Sequence, residues 1–111
     1  MHTISTPQLT LNDGRTIPQL GFGVFLVPPA EAADAVARAL RTGYRSIDTA
    51  AMYRNEQGVG EAIHASGIPR EEVFITTKVW PSDFGREETP RALKRSLEQL
   101  GEQYVDLYLL H

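Results

Sequence analysis

An α/β fold on parallel strands is the class this sequence predicts, and three observations carry it. Short apolar runs ending on one ionisable residue recur at Arg45–Asp48, Val73–Lys78 and Val105–His111. Stretches with helical spacing stand between the runs. Each of these stretches closes on a glycine, Gly43, Gly67 or Gly101, suited to a position at or just past a helix end. Regular β/α alternation of this kind calls for parallel strands with right-handed crossovers. Near-continuous apolar strands are expected to have both sheet faces covered.

The elements follow in order. Gln8–Leu11 and Thr16–Pro18 flank Asn12-Asp13-Gly14-Arg15, and Asp-Gly between short alternating runs is a hairpin pattern. Gln19–Phe25 reads as a first buried strand. Pro28-Pro29 opens a helix at Pro29, where a missing N–H costs nothing. Ala33, Val36, Ala37 and Leu40 form its inner face, and Gly43 ends it. Tyr44–Asp48 is the second strand. Asn55 caps a second helix with Val59, Ala62 and Ile63 inward and Gly67 past its end. Gly58 and Gly60 lie inside that helix at some cost in propensity, which close packing on the sheet would explain. Ile68-Pro69-Arg70 turns the chain into the third strand, Val73–Lys78. Thr89 and Pro90 look like an N-cap and a first helical position. Leu93, Leu97 and Leu100 form the inner face of the third helix. The fourth strand runs from Tyr104 to His111. Four strands and three helices fit a small open sheet, or half of an eight-stranded (β/α) barrel.

Composition narrows the function. The chain has 111 residues, a net charge of -3 and no cysteine. Disulfides, thiolate metal sites and cysteine nucleophiles are thereby excluded. No basic stripe suggests nucleic-acid or anionic-membrane binding, and no apolar run is long enough to span a bilayer. The first seven residues lack a signal-peptide layout, so a soluble cytoplasmic protein is expected. No linker divides the chain, so residues 1–111 are expected to form one unit. His2 and His64 are expected on the surface, with no metal site implied.

The three strand ends carry the chemistry. In a parallel array the carboxyl ends of the strands share one rim, so Asp48, Lys78 and His111 should converge. A carboxylate and an ammonium there would pair. Tyr53, five residues beyond Asp48, can fold back over the rim. A phenol beside a charged lysine is a stronger acid, suited to protonating a carbonyl oxygen. His111 could orient that carbonyl or complete a proton relay. Such a group suits carbonyl reduction with hydride from elsewhere.

The same residues carry a resemblance. Gly21-Phe22-Gly23-Val24-Phe25, Gly43-Tyr44-Arg45-Ser46-Ile47-Asp48-Thr49-Ala50-Ala51-Met52-Tyr53 and Asn55-Glu56 look like the N-terminal part of an aldo-keto reductase. So do Phe74-Ile75-Thr76-Thr77-Lys78-Val79-Trp80 and Val105-Asp106-Leu107-Tyr108-Leu109-Leu110-His111. Within that family, Gly-Val-Phe and Val-Pro-Pro resemble the bacterial 2,5-diketo-D-gluconate reductase branch. The resemblance implies the N-terminal half of a (β/α)8 TIM barrel, truncated after its fourth strand. It implies reduction of aldehydes or ketones with hydride from NADPH, NADH being the alternative. It places Tyr53 on the proton donor and Lys78 on the residue that makes it more acidic. Asp48 falls on the lysine's partner, and His111 on the histidine that orients substrate and assists proton transfer. Gly23 and Val24, with Asp48, would meet the cofactor. Phe22, Phe25, Trp80 and His111 would line the substrate pocket, although Phe22, Phe25 and Trp80 read equally well as packing residues.

By the same resemblance, the half of the barrel that completes the cofactor site lies beyond His111. A full-length form is expected to be a monomer. The 111-residue chain alone is expected to show little or no reductase activity and to be prone to self-association through open strand edges. A non-catalytic half-barrel and a redox-sensing subunit are the competing functions. Gly58-Val59-Gly60 lies inside a helix and lacks a third glycine, which argues against a Rossmann dinucleotide loop.

Overall fold

The computed structural model describes residues 7–111; His2 lies outside them. Strands β1 (Gln8–Thr10) and β2 (Thr16–Pro18) pair antiparallel as the expected hairpin, with Leu9 opposite Ile17. Its turn places Gly14 at φ +86, and the Asp13 carboxylate accepts the Arg15 amide at 3.0 Å. Four further strands form a parallel sheet in sequential order: β3 (Phe22–Gly23), β4 (Ser46–Asp48), β5 (Phe74–Val79) and β6 (Leu107–Leu110). Helices α1 (Pro29–Thr42), α2 (Glu56–Ala65) and α3 (Glu88–Leu100) make the crossovers.

Residues of all three helices join Val24, Ile47 and Ile75 in one apolar core, so the helices share one face of the sheet. A doubly wound open sheet would place helices on both faces, whereas sequential strands with helices on one face are the winding of a (β/α) barrel. No helix covers the opposite face among the described residues, yet Ser46, Phe74 and Thr76 on it are buried. Side chains alternate across a strand, so Thr77 and Val79 face the helices while Thr76 and Lys78 face the other way. That second face carries the ionisable strand ends.

Local chemistry sets the helix boundaries. Proline opens α1, and Gly43 closes it at φ +118. Its buried face is Ala32, Val36, Ala39 and Leu40, with Ala33 and Ala37 only half-buried. The stripe is rotated from the expected one because α1 packs against α2 as well as against the sheet. The glycines of α2 serve helix contacts rather than contact with the sheet. A Cβ on Gly58 would stand 2.9 Å from that of Ala32, and one on Gly60 would overlap the Leu100 backbone carbonyl.

Helix α3 begins at Glu88 instead of after Thr89. The Thr89 hydroxyl latches the preceding loop, donating to the Asp83 carbonyl at 2.9 Å and accepting from the Gly85 amide at 3.1 Å. Ala92, Ser96 and Leu100 are buried, while Leu93 and Leu97 are half-buried.

The outer strands are shorter than their apolar runs suggest. The first run shrinks to Phe22–Gly23: the Gln19 amide still donates to the Pro7 carbonyl beside the hairpin, and at the other end the chain turns through Leu26, a non-glycine with φ +66. The last begins at Leu107, after the Asp106 carboxylate accepts the Ile75 amide and the Arg70 guanidinium at 2.8 and 2.9 Å. Strands β3 and β6 are the sheet edges, and Leu110 on β6 is 73% exposed.

Candidate active site

Strand ends and one loop assemble the site. Register places Asp48 beside Thr76 on β5 and beside Gly23 on β3. Lys78 lies two residues beyond Thr76 on the same face, so its stem rises past Asp48 toward the rim. Its ammonium pairs with the Asp48 carboxylate and donates to the Thr49 carbonyl at 2.9 Å. It also lies 3.4 Å from the Tyr53 hydroxyl and 5.0 Å from the centre of that ring.

A single turn of 3₁₀ helix, Ala51–Tyr53, folds the tyrosine back over the strand ends. His111 closes the group. Its amide donates to the Val79 carbonyl at 3.0 Å, which extends the β5–β6 ladder to the rim. Its ring stands edge-on to Tyr53 at 5.8 Å and to Trp80 at 5.3 Å. Phe25 covers another side of Tyr53, with ring centres 5.2 Å apart. Asp48, Tyr53, Lys78 and His111 are thus brought together, with Phe25 and Trp80 around them.

The remaining expected residues separate. Phe22 packs against Tyr44 at 5.8 Å and against the helix-side core, apart from the ring cluster at the rim. Val24 is 0% exposed, with its amide donating to the Asp48 carbonyl at 3.1 Å. Its carbonyl accepts from the Val27 amide at 3.0 Å and from the Asn55 side chain at 3.0 Å. Gly23 is exposed, in register with Asp48, and has nothing within 4 Å of where a Cβ would stand, which leaves open space beside the carboxylate.

Two buried polar residues escaped the reading of the sequence. Asn55 does stand at the N-cap of α2, but its side chain makes no cap hydrogen bond. It turns inward and accepts from the Thr49 hydroxyl at 2.7 Å. Glu56, 6% exposed, accepts from the Thr77 hydroxyl at 2.6 Å and the Ser96 hydroxyl at 3.1 Å. Asn55-Glu56 was among the motifs of the resemblance, and that motif is the one hint the sequence offers to either.

Comparison with known proteins accords with this geometry. Residues 19–111 match the model of the aldo/keto reductase family. The chain belongs to that family. An aldo/keto reductase from Brucella melitensis superposes with a TM-score of 0.95 at 53% identity, over 100% of this chain and 42% of that one. A Bombyx mori aldo-keto reductase solved in complex with NADP gives 0.92 at 41% identity, over 98% and 39%. A methylglyoxal reductase from Yersinia pestis is 51% identical over 95% of this chain and 37% of its own. The chain therefore spans about two fifths of the length of the aldo/keto reductases it matches. Among the described residues, no helix is long and apolar enough to cross a membrane, and no cluster of potential metal ligands is present.

Proposed function

We propose that the protein carrying these residues reduces small aldehydes or ketones to alcohols, with NADPH as hydride source and NADH as the alternative. The observation that carries this reading is the Lys78 ammonium, placed against Asp48 and within 3.4 Å of the Tyr53 hydroxyl. The similarity to an NADP complex and to a methylglyoxal reductase supports it.

Each residue takes a role that its position allows. A reduced nicotinamide would supply hydride to the carbonyl carbon. Gly23 and Asp48 would border its ring. Tyr53 gives its hydroxyl proton to the carbonyl oxygen, so the product is the neutral alcohol. Lys78 stabilises the phenolate left behind, and Asp48 keeps the ammonium in place. Preorganised charge beside the group that ionises needs no rearrangement during the reaction. Tyr53 regains its proton from solvent after product leaves. His111, edge-on to Tyr53, orients the carbonyl, and Phe25 and Trp80 wall the pocket. Gly-Val-Phe and Val-Pro-Pro resemble the 2,5-diketo-D-gluconate reductase branch, and the similarity to a methylglyoxal reductase makes a small dicarbonyl the first substrate to assay.

The test uses the complete protein with NADPH and methylglyoxal. Tyr53→Phe should abolish turnover while cofactor binding persists. Turnover equal to that of the unaltered protein would remove Tyr53 as the proton donor.

A further inference from the structure

We propose that Asn55 is a positioning residue: it fastens the turn that carries Phe25 to the loop that carries Tyr53, and so fixes where the phenol points. The proposal rests on Tyr53 being the proton donor.

Asn55 is 1% exposed and uses both amide hydrogens as well as its oxygen. Its Nδ2 donates to the Val24 carbonyl at 3.0 Å and the Val27 carbonyl at 3.1 Å. Its Oδ1 accepts from the Thr49 hydroxyl at 2.7 Å. Val24 and Val27 bracket the turn that displays Phe25, and Thr49 and Asn55 bracket the segment that displays Tyr53. One side chain thus ties together both ends of the Phe25–Tyr53 contact. An asparagine that only capped α2 would bond to amides of its own helix, and this one does not.

Backbone strain has the same location. Among the described residues, Leu26 and Arg54 are the non-glycines with positive φ, +66 and +59. Leu26 lies inside the turn that Asn55 grips, and Arg54 immediately precedes Asn55. Such conformations persist where surrounding bonds over-determine them. Leu26 is 80% exposed, so packing of its own side chain does not hold it. The Val27 amide closes the turn on the Val24 carbonyl at 3.0 Å, and the hydrogen bonds of Asn55 to both ends brace it.

The neighbouring Glu56 extends the tie to the other partner. Its carboxylate holds Thr77, which adjoins Lys78 on β5. Two consecutive residues therefore anchor the two loops on one side and β5 on the other.

The test is made in the complete protein, with NADPH and methylglyoxal as probes. Asn55→Ala should lower kcat by about 100-fold, the cost of misplacing a reacting group by about 1 Å, while KM for NADPH stays unchanged. A raised KM with unchanged kcat, or a kcat equal to that of the unaltered protein, would overturn the proposal. If Asn55→Ala does not fold, Thr49→Val removes one of the three bonds at nearly constant shape and should give a smaller loss of kcat; an unchanged kcat would overturn the proposal. Tyr53→Phe alone tests the proton-donor reading, so the two failures are distinguishable. Independently of turnover, the Tyr53 ring signals in NMR carry the ring current of Phe25. Asn55→Ala should shift them as Phe25→Leu does, and unshifted signals would overturn the proposal.

Discussion

The Lys78 ammonium stands between the Asp48 carboxylate and the Tyr53 hydroxyl, 3.4 Å from the latter, and a third bond to the Thr49 carbonyl holds it there. Lys78→Met keeps the apolar stem and removes the charge. In the complete protein, turnover should fall by about 10²–10⁴-fold, the usual worth of positioned acid–base catalysis, with cofactor affinity nearly unchanged. Steady-state kinetics and a fluorescence titration with NADPH check both halves.

Tyr108 should make stability fall in alkali. Burial raises its pKa, the charges of Glu56 and Asp83 raise it further, and Arg95 opposes them. Below the ordinary tyrosine value of about 10, folded and unfolded chains both hold the proton. Above it the unfolded chain loses the proton first, so stability declines as pH rises toward the folded value. Tyr108→Phe should flatten that decline in urea midpoints measured across the range. The buried hydroxyl has no hydrogen-bond partner among the described residues. The substitution should therefore also gain up to about 1 kcal/mol at neutral pH.

Gly60→Ala should destabilise the fold. The added Cβ would overlap the Leu100 carbonyl, and backbone cannot swing aside as a flexible side chain can. Overpacking at such a site costs about 3 kcal/mol, and alanine returns about 1 kcal/mol of helix propensity. A net loss of about 2 kcal/mol is expected by chemical denaturation. Gly58→Ala should lose less, because its neighbours stand at 2.9 and 3.1 Å.

Leu26→Gly should stabilise. A left-handed non-glycine costs about 1–2 kcal/mol. Glycine removes that strain but adds about 0.4–1 kcal/mol of unfolded-state entropy. With the leucine side chain mostly in solvent, little packing is lost. A net gain of about 0.5–1 kcal/mol is expected, read as a raised melting temperature.

The parts that were legible in the sequence depend on local rules. Pro29 and Gly43 mark the ends of α1 because φ alone decides them. Asp48, Lys78 and His111 were legible because parallel strands send their ends to one rim, and Tyr53 because it follows Asp48 by five residues and can fold back over that rim. The rest depends on distant partners. Asn55 reads as a cap until Val24, 31 residues earlier, takes its amide. Glu56 entered only as part of the Asn55-Glu56 motif, and Ser96 bonds to it from 40 residues away. Leucine gives no sign of a left-handed turn, since its own preference runs the other way. Phe22 read equally well as core or pocket wall; its register with Ile47 puts it on the helix side of the sheet.

Asp48 pairs with Thr76 and Lys78 with Leu109, so the ion pair runs diagonally across two strands instead of straight across one rung. The strand ladder is thus the ruler for the chemistry. A slip of one residue between β4 and β5 would turn the ammonium into the apolar core and bring a threonine to the rim. Swapping side chains at the mouth leaves that ruler intact, so Tyr53 and the Lys78 ammonium keep their spacing whatever lines the rim.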